Sequence, residues 1–246
     1  MDKLKLLSGN ALKLIACASM LVDHIGLILF PNVLALRIVG RIAFPIFAFM
    51  IAEGARYTKS KLRYLVTMLI CATICQLGYA FVSDSAYICV LVTFSISIIL
   101  IYAFQYFKKT LFTRDVTVIK IILTFLLFVG AVIVAFVLNK LQRVEYGFFG
   151  IMLPVVASLP HMPQEAPERI KRIDTPLVSV ALSLVGLVPI ALDSPFGWIQ
   201  VFSALAIPLL LLYSGKRGAL KLKYFFYIFY PAHIVALVGI GILIFR

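Results

Sequence analysis

An acid and an imidazole lie side by side within an apolar stretch near the start of the sequence. In the segment SMLVDHIGLILF (residues 19–30), Asp23 and His24 interrupt a run that is otherwise suited to a membrane interior. Ionisable side chains are costly in a bilayer, and where they occur they commonly have a functional role. A histidine with a carboxylate partner can remove a proton from a hydroxyl or amine nucleophile. His24, oriented or charge-balanced by Asp23, is therefore a candidate general base.

The next apolar stretch contributes two arginines and a glutamate. Arg37 and Arg41 are four residues apart and so share one face of a helix. Arg41 is expected near the depth of Asp23, where a guanidinium could stabilise developing negative charge or bind a phosphate. Glu53 lies nearer the opposite end of the same helix. Together with Gln76 of the following stretch, Arg37 and Glu53 are candidate substrate- or donor-binding residues.

The last apolar stretch carries a second deep histidine. Tyr227, Tyr230 and His233 follow at i, i+3 steps and so lie on one helix face. His233 is expected near mid-depth, at a height related to that of His24. We therefore expect Tyr230 and His233 to line the same cavity as His24, as a proton-transfer or positioning pair. The remaining histidine, His161, stands beside Pro160 in a polar connection and is expected to be solvated.

Each of these side chains also has a structural explanation. Asp23 could pair with a basic residue of the next span and tie two helices together, and Glu53 could form an interfacial salt bridge with Arg56. An interhelical hydrogen bond would explain Gln76. The same inventory would also serve a proton-coupled transporter, in which Asp, His and Arg form a relay. The residue types alone leave acyl transfer and transport open.

The composition determines what kind of scaffold must position these residues. Of the 246 residues, 63% are hydrophobic and 13% are charged, the latter about half the fraction usual in soluble domains. Apolar runs of about 20 residues, the length needed to cross a bilayer, recur along the chain. The sequence therefore predicts one all-α, polytopic integral membrane domain over residues 1–246. The four cysteines form no Cys-x-x-Cys pair, so neither a metal site nor a disulfide framework is expected.

Turn signals and charge clusters divide the chain into about nine predicted transmembrane helices. Their boundaries are residues 11–30, 36–56, 62–82, 86–106, 116–138, 146–160, 176–192, 196–214 and 224–245.

The basic residues alternate between the connections. Basic residues are retained on the cytoplasmic side of membranes, so their distribution predicts a cytoplasmic N-terminus and an odd number of spans. It also explains the net charge of +13 without a nucleic-acid partner. Sixteen of the 23 Lys and Arg residues fall in segments predicted to be cytoplasmic: Lys3, Lys5, Arg56, Lys59, Lys61, Arg63, Lys108, Lys109, Arg114, Arg169, Lys171, Arg172, Lys216, Arg217, Lys221 and Lys223.

Five blocks of the sequence together resemble the TraX family of membrane proteins, named for a protein that acetylates the N-terminus of a conjugative pilin. The similarity covers nearly the whole chain. The blocks are LKLIACASMLVDHIG (residues 12–26), RIVGRIAFPIFAFMIAEGARYT (37–58), KLRYLVTMLICATICQLGYAF (61–81), VEYGFFGIML (144–153) and the ending IQVFSALAIPLLLLYSGKRG with KYFFYIFYPAHIVAL (199–218 and 223–237).

The resemblance implies a place in a broader clan of integral-membrane acyltransferases in a bacterial cytoplasmic (inner) membrane. It implies acetyl-CoA as acyl donor and an amine or hydroxyl acceptor, such as a pilin N-terminus or an envelope glycan or lipid. Basic segments such as Arg56–Arg63 and Lys216–Lys223 could attract the CoA phosphates. Membrane lipids are the expected surroundings. The alternative is a non-catalytic transporter or an envelope or pilus assembly factor.

The resemblance also assigns motifs to the candidate residues. Asp23 and His24 fall on an Asp-His motif, Arg41 on a Gly-Arg motif and Glu53 on a Glu-Gly motif. The catalytic set expected for an acyl-CoA-dependent N- or O-acetyltransferase is His24, Asp23, Arg41, His233 and Tyr230, the last two from a terminal Tyr-Pro-x-His motif.

Overall fold

Helices account for most of the backbone that the structure describes. A computed structural model describes residues 6–82, 87–193, 197–219 and 222–244; Lys3, Lys5 and Lys221 lie outside these residues. In lipid every backbone polar group must be satisfied within the segment, which favours helices wherever the sequence is apolar. The helices are α1 (Gly9–Ile28), α2 (Leu34–Gly40), α3 (Ala43–Tyr57), α4 (Lys61–Val82), α5 (Val90–Phe112), α6 (Val118–Leu141), α7 (Gly147–Ala157), α8 (Glu168–Lys171), α9 (Pro176–Asp193), a 3-10 helix (Gly197–Leu205), α10 (Ala206–Leu211) and α11 (Lys223–Ile244).

The nine predicted spans are all helical, but the count of nine transmembrane helices is not confirmed. Among the described residues, seven helices are long and apolar enough to cross a membrane, with α2 and α3 together forming one of them. The other two predicted spans are the shorter apolar helices Gly147–Ala157 and Gly197–Leu211. At 1.5 Å per residue, the 11 residues of α7 extend about 16 Å, roughly half of a hydrocarbon core.

The second predicted span is interrupted where its arginines lie. Helix α2 ends at Gly40 and α3 begins at Ala43, so Arg41 and Ile42 form the junction. Pro45 explains the break, because its ring would clash with the carbonyl group of Arg41 if one helix continued through both. The Arg41 amide instead bonds back to the Ile38 carbonyl oxygen at 3.2 Å. The break at Pro45 thus places Arg41 at a helix end in the protein interior.

Segments predicted to share one side of the membrane contact each other. At one end of the bundle the Gly9 amide donates to the Lys216 carbonyl oxygen at 2.8 Å, and Arg56 pairs with Asp174 at 2.6 Å. Strands β1 (Tyr87–Ile88) and β2 (Arg143–Val144) pair in parallel at the other end. The grouping of these connections matches the alternation of basic residues. That the Gly9 end is cytoplasmic stays a prediction.

The helices differ in how deeply they are buried. In the α2–α3 span, 56% of an 18-residue apolar stretch is buried inside the protein. In α6 the buried share of such a stretch is only 11%. The side chains of α6 are almost uniformly apolar, and many of them, such as Ile122, Leu126 and Val134, are exposed. An apolar helix with so little protein contact is suited to facing lipid tails. The residues that position the candidate site come from α1, α2, α3, α5, α7 and α11 rather than from α6.

Lys108 was grouped with the cytoplasmic connections, but the structure buries it near the end of α5. Its ammonium group donates to the backbone carbonyl oxygens of Leu159 at 3.1 Å and of His161 at 2.5 Å. These carbonyls follow the end of α7, where the last carbonyl groups of a helix have no intrahelical partner. A cation at that position also interacts favourably with the helix dipole. Lys108 thus fixes the turn that leads out of α7.

We predict that Lys108→Met lowers the free energy of unfolding by about 1–3 kcal/mol, because two buried carbonyl groups lose their donor. Lys109→Met is the matched control. The Lys109 side chain is 62% exposed and lies 3.6 Å from Glu165, so its loss should cost less than about 1 kcal/mol. Unfolding of both variants in detergent micelles measures the difference. Equal destabilisation by the two substitutions would contradict the role given to Lys108.

Candidate functional site

A buried carboxylate between two guanidinium groups forms the centre of the site. Asp23 of α1 accepts hydrogen bonds from Nη2 of Arg41 at 2.6 Å to both carboxylate oxygens. Nη1 of Arg37 lies 2.8 Å from Oδ2 of Asp23 and also donates to the Asp23 backbone carbonyl oxygen at 3.1 Å. The two arginines, four residues apart on α2 and its end, therefore hold one acid from both sides. The predicted Asp23–Arg41 pair is present.

Arg41 is committed to these contacts. Its side chain is 2% exposed, and besides Asp23 it donates to Oε1 of Gln200 at 3.4 Å and to the Arg37 carbonyl oxygen at 3.3 Å. Gln200 in turn donates to Oγ of Ser203 at 2.6 Å. Arg41 thus connects α1, the α2–α3 junction and the 3-10 helix. These contacts match the structural alternative for Asp23, in which it ties neighbouring helices together.

Helix α2 approaches α1 closely because Gly40 has no side chain. A Cβ atom at this position would overlap the Asp23 carboxylate. On the same face, the hydroxyl of Ser19 donates to the Val39 carbonyl oxygen at 2.6 Å, which satisfies a group at the end of α2. Small residues permit such close approach of membrane helices. Gly40 is therefore required for the Asp23–Arg41 contact.

The two deep histidines meet, as their predicted depths suggested. Nδ1 of His24 lies 2.8 Å from Nε2 of His233. Nδ1 of His233 lies 2.7 Å from the Phe229 carbonyl oxygen. A carbonyl oxygen only accepts, so His233 carries its proton on Nδ1 and, when neutral, accepts at Nε2. His24 must then donate from Nδ1, and when His24 is also neutral its Nε2 is an unprotonated acceptor.

His24 is therefore oriented by His233 rather than by Asp23. Neighbouring residues on a helix point about 100° apart, and here Asp23 faces α2 while His24 faces α11. The expected pairing of the His24 imidazole with Asp23 is replaced by a pairing with His233, and the role of His24 as a general base stays a prediction. Tyr230 packs its ring edge-on against His233, with ring centroids 5.7 Å apart, and is buried beside the pair.

A small cavity lies at this centre. Its volume is about 30 Å³, enough for about one water molecule. Its lining residues with polar groups are Asp23, His24, Glu145, Tyr146 and Tyr230. Tyr230 thus lines the same cavity as His24, as expected, whereas the expectation that His233 lines it too is wrong, because His233 lies behind His24. Arg41 is absent from the lining, so in this structure it acts on the cavity through Asp23.

A much larger cavity, about 730 Å³, lies next to the small one. Four basic residues line it: Lys13, Lys59, Arg63 and Arg217. They belong to segments at the end of the bundle where Gly9 bonds to Lys216. The two cavities share the wall residues Met20, Phe47, Val90, Phe94 and Tyr230. A wide basic cavity thus leads through a largely apolar wall towards His24.

Glu53 lines the large cavity but has a different partner from the one expected. Its Oε1 lies 3.2 Å from Nε2 of His161, whereas Arg56 pairs with Asp174. The proposed Glu53–Arg56 salt bridge is therefore wrong, and so is the expectation that His161 is solvated, because its side chain is 4% exposed. The α7 turn held by Lys108 folds His161 inward.

Among the residues that the structure describes, Gln76 lines neither of the two cavities. Its Oε1 accepts a hydrogen bond from the Cys89 amide at 2.9 Å. This bond satisfies one of the free amide groups at the start of α5. The contact matches the structural explanation of Gln76.

Two residues that the sequence analysis did not single out face the small cavity. Glu145 accepts a hydrogen bond from the Val90 amide at 2.9 Å, and Tyr146 stacks on Phe44 with ring centroids 3.7 Å apart. Burial raises the pKa of the Glu145 carboxyl to about 7, against the opposing effects of the Val90 amide and the Arg41 guanidinium. The available signal was the acidic Glu145 directly before an apolar helix, in a block that resembled the family.

The comparisons agree with this architecture. A family model described as TraX protein matches residues 8–241, nearly the whole chain. The chain belongs to the TraX family. A curated relative, "Uncharacterized protein RP591" from Rickettsia prowazekii (strain Madrid E), is 42% identical over 57 residues, which are 23% of this chain and 23% of that protein. The match thus spans about a quarter of the relative's length. No solved structure matches. This TraX-family chain is a multi-pass membrane protein.

We predict that Gly40→Ala destabilises this TraX-family protein by about 1–3 kcal/mol, the usual cost of overpacking. The new methyl group would displace the Asp23 carboxylate from its arginines. Gly130→Ala in α6 is the matched control, because a Cβ atom there meets nothing within 4 Å. Unfolding in detergent compares the two variants. If Gly40→Ala is as stable as Gly130→Ala, the close approach of α1 and α2 is not required.

Proposed function

We propose that this protein is an integral membrane acyltransferase that moves an acetyl group from acetyl-CoA to an amine or hydroxyl acceptor. The observation that carries the proposal is the His24–His233 pair, whose His24 lines a small cavity that borders a wide basic one; in the neutral pair, Nε2 of His24 is the nitrogen without a proton. A buried neutral imidazole with its other nitrogen fixed is suited to general-base catalysis.

The large cavity suits an acyl-CoA donor in size and charge. Its volume of about 730 Å³ lies within the range typical of ligand sites. Arg217 and Arg63 can bind phosphate groups through charge-assisted hydrogen bonds. Lys13 lies deeper, with its ammonium group 5.5 Å from the centre of the Phe226 ring. The phosphates would bind among these cations, while the acyl-bearing arm would extend towards Tyr230 and Phe94.

The reaction would proceed as follows. The acceptor nitrogen or oxygen attacks the thioester carbonyl carbon, and its proton moves to Nε2 of His24. The C–S bond then breaks, the new amide or ester forms, and CoA leaves as a thiolate that takes a proton from solvent. His24 becomes an imidazolium, and its hydrogen bond to Nε2 of His233 stabilises the positive charge. Asp23 and Arg41 position α1, and Tyr230, which lines the cavity, packs against His233.

The acceptor and the compartment complete the proposal. A pilin N-terminus, an envelope glycan or a lipid would each supply the required nucleophile, and the proposed location is a bacterial inner membrane. A transporter or assembly factor is the competing class, and the first experiment below discriminates between them.

We predict that His24→Ala abolishes acetyl transfer, because the proton acceptor is lost. The measurement follows CoA release and transfer of radiolabel from acetyl-CoA to a host membrane extract, with purified protein in liposomes. His161→Ala is the matched histidine control, since His161 is buried but lines neither cavity in the described residues; it should retain turnover. The variants are compared only after equal unfolding temperatures are shown. Turnover by His24→Ala at the wild-type rate would remove His24 from catalysis, and absence of turnover in the wild type would favour the transporter or assembly class.

We also predict that Arg217→Gln raises the KM for acetyl-CoA about tenfold, the effect of losing one charged hydrogen bond of about 1.5 kcal/mol. Lys140→Gln is the control. It removes one positive charge at the end of α6, and Lys140 is not among the described residues that line the cavity, so KM should stay unchanged. Steady-state kinetics at constant ionic strength measures both. An equal rise in the two variants would indicate only a general charge effect.

A further inference from the structure

We infer that Glu145 is the residue that takes the proton away from His24, through water held in the small cavity. This inference rests on the proposed acyl transfer, because each turnover there leaves a proton on His24 that must be removed. Glu145 was not among the residues that the sequence motifs marked.

The histidine pair cannot dispose of this proton alone. His24 could pass its Nδ1 proton to Nε2 of His233, 2.8 Å away. The other nitrogen of His233 already donates to the Phe229 carbonyl oxygen at 2.7 Å, and a backbone carbonyl does not carry a proton onward. The pathway through His233 therefore ends within α11. A proton on Nε2 of His24 has to leave by way of the small cavity.

Glu145 is held firmly in the lining of that cavity. Its amide donates to the Ile88 carbonyl oxygen at 3.0 Å, its own carbonyl oxygen accepts from the Thr93 hydroxyl at 3.0 Å, and its Oε2 accepts from the Val90 amide at 2.9 Å. A carboxylate can accept about four hydrogen bonds. The carboxyl group thus has a fixed position and further capacity to accept a proton or a bond from water.

The small cavity, which His24 and Glu145 both line, is suited to a single bridging water. Its volume is about 30 Å³ and its lining includes both His24 and Glu145. A buried water needs such a volume and two to four polar partners. Asp23 and Tyr146 line the same space and supply further polar groups. A proton can therefore pass from Nε2 of His24 to water and from water to the Glu145 carboxylate.

The surrounding charges allow Glu145 both to accept and to release the proton. Arg37 and Arg41 lie on the α2 side and favour the ionised form, whereas Asp23 on α1 and burial favour the protonated form. Tyr146 is the titratable neighbour on its own segment. With a pKa of about 7, the carboxyl group is populated in both forms near neutral pH. A carboxyl group fixed permanently in one form could not turn over.

The competing explanation is that Glu145 only caps α5. An acid that accepts from an amide at a helix start is a common stabilising feature. Glu145→Gln separates the two roles, because the amide oxygen can still accept from Val90 but cannot take a proton. Glu165→Gln is the matched control, at an acid that pairs with the exposed Lys109.

The first measurement follows the carboxyl stretching band by infrared spectroscopy of liposome-reconstituted protein during a pH titration. We expect a band that titrates near pH 7, is absent in Glu145→Gln, persists in Glu165→Gln and shifts in His24→Gln. This readout needs no acetyl-CoA. Absence of such a band in the wild type, or its persistence in Glu145→Gln, would overturn the inference.

The second measurement is the pH dependence of CoA release. The wild-type rate should rise as pH increases through about 7, because the ionised carboxylate is the proton acceptor. Glu145→Gln should lose this rise and fall in rate by about 10²-fold, with KM for acetyl-CoA unchanged. An unaltered profile in Glu145→Gln would overturn the inference while leaving the acyltransferase intact. The two measurements can also disagree. If the wild type shows no CoA release but its carboxyl band titrates and responds to His24→Gln, the result would support the proton pathway and reject the proposed acyltransferase activity.

Discussion

The buried Asp23 carboxylate is the interaction on which the rest of the site depends. Transfer of a carboxylate out of water is expensive, and the cost is offset here by two guanidinium groups within 2.8 Å. A buried ion cluster of this kind gives little net stability but leaves few alternative arrangements, because displacing either partner exposes an unpaired charge. It therefore fixes the register of α1 against α2. Once that register is set, the following residue, His24, can only face α11.

Some residues of the site mainly hold the helices in position, and others mainly face the cavities. Asp23, Arg37 and Arg41 bind mainly one another, whereas His24 and Glu145 face a small polar space. The largely apolar wall between the two cavities limits the water that can reach the smaller one. Restricting the site to about one water lets a proton move without offering many competing nucleophiles.

Much of this arrangement could be predicted from sequence, for identifiable reasons. The helices follow from apolar runs, and the Asp23–Arg41 pair follows from opposite charges at matching depths in adjacent spans. The meeting of His24 and His233 was expected because a charged or polar group in lipid turns towards the bundle interior. What failed depended on tertiary contacts. The burial of His161 results from a turn held by Lys108, and the choice of His233 over Asp23 as the partner of His24 depends on how helices rotate about their axes.

Glu145 escaped prediction for a related reason. It lies in a short connection between spans, where an acidic residue is normally solvated, so its position before an apolar helix was only a weak signal. Its burial depends on β1 and β2, a strand pair only two residues long, which sequence periodicity does not reveal. Helix lengths were also overestimated for the two short apolar segments, since hydropathy reports an apolar environment but not whether a helix crosses the whole bilayer.

The contact between the first and last helices has a consequence for biosynthesis. The bond between His24 and His233 joins residues 209 positions apart, and the start of α1 is held by backbone bonds to the Lys216–Arg217 connection. During translation, α1 enters the membrane long before these partners have been made. Until then its acid and imidazole must be tolerated in lipid or sheltered by α2. The centre is therefore assembled last, and a nascent or truncated chain that lacks α11 has no completed histidine pair.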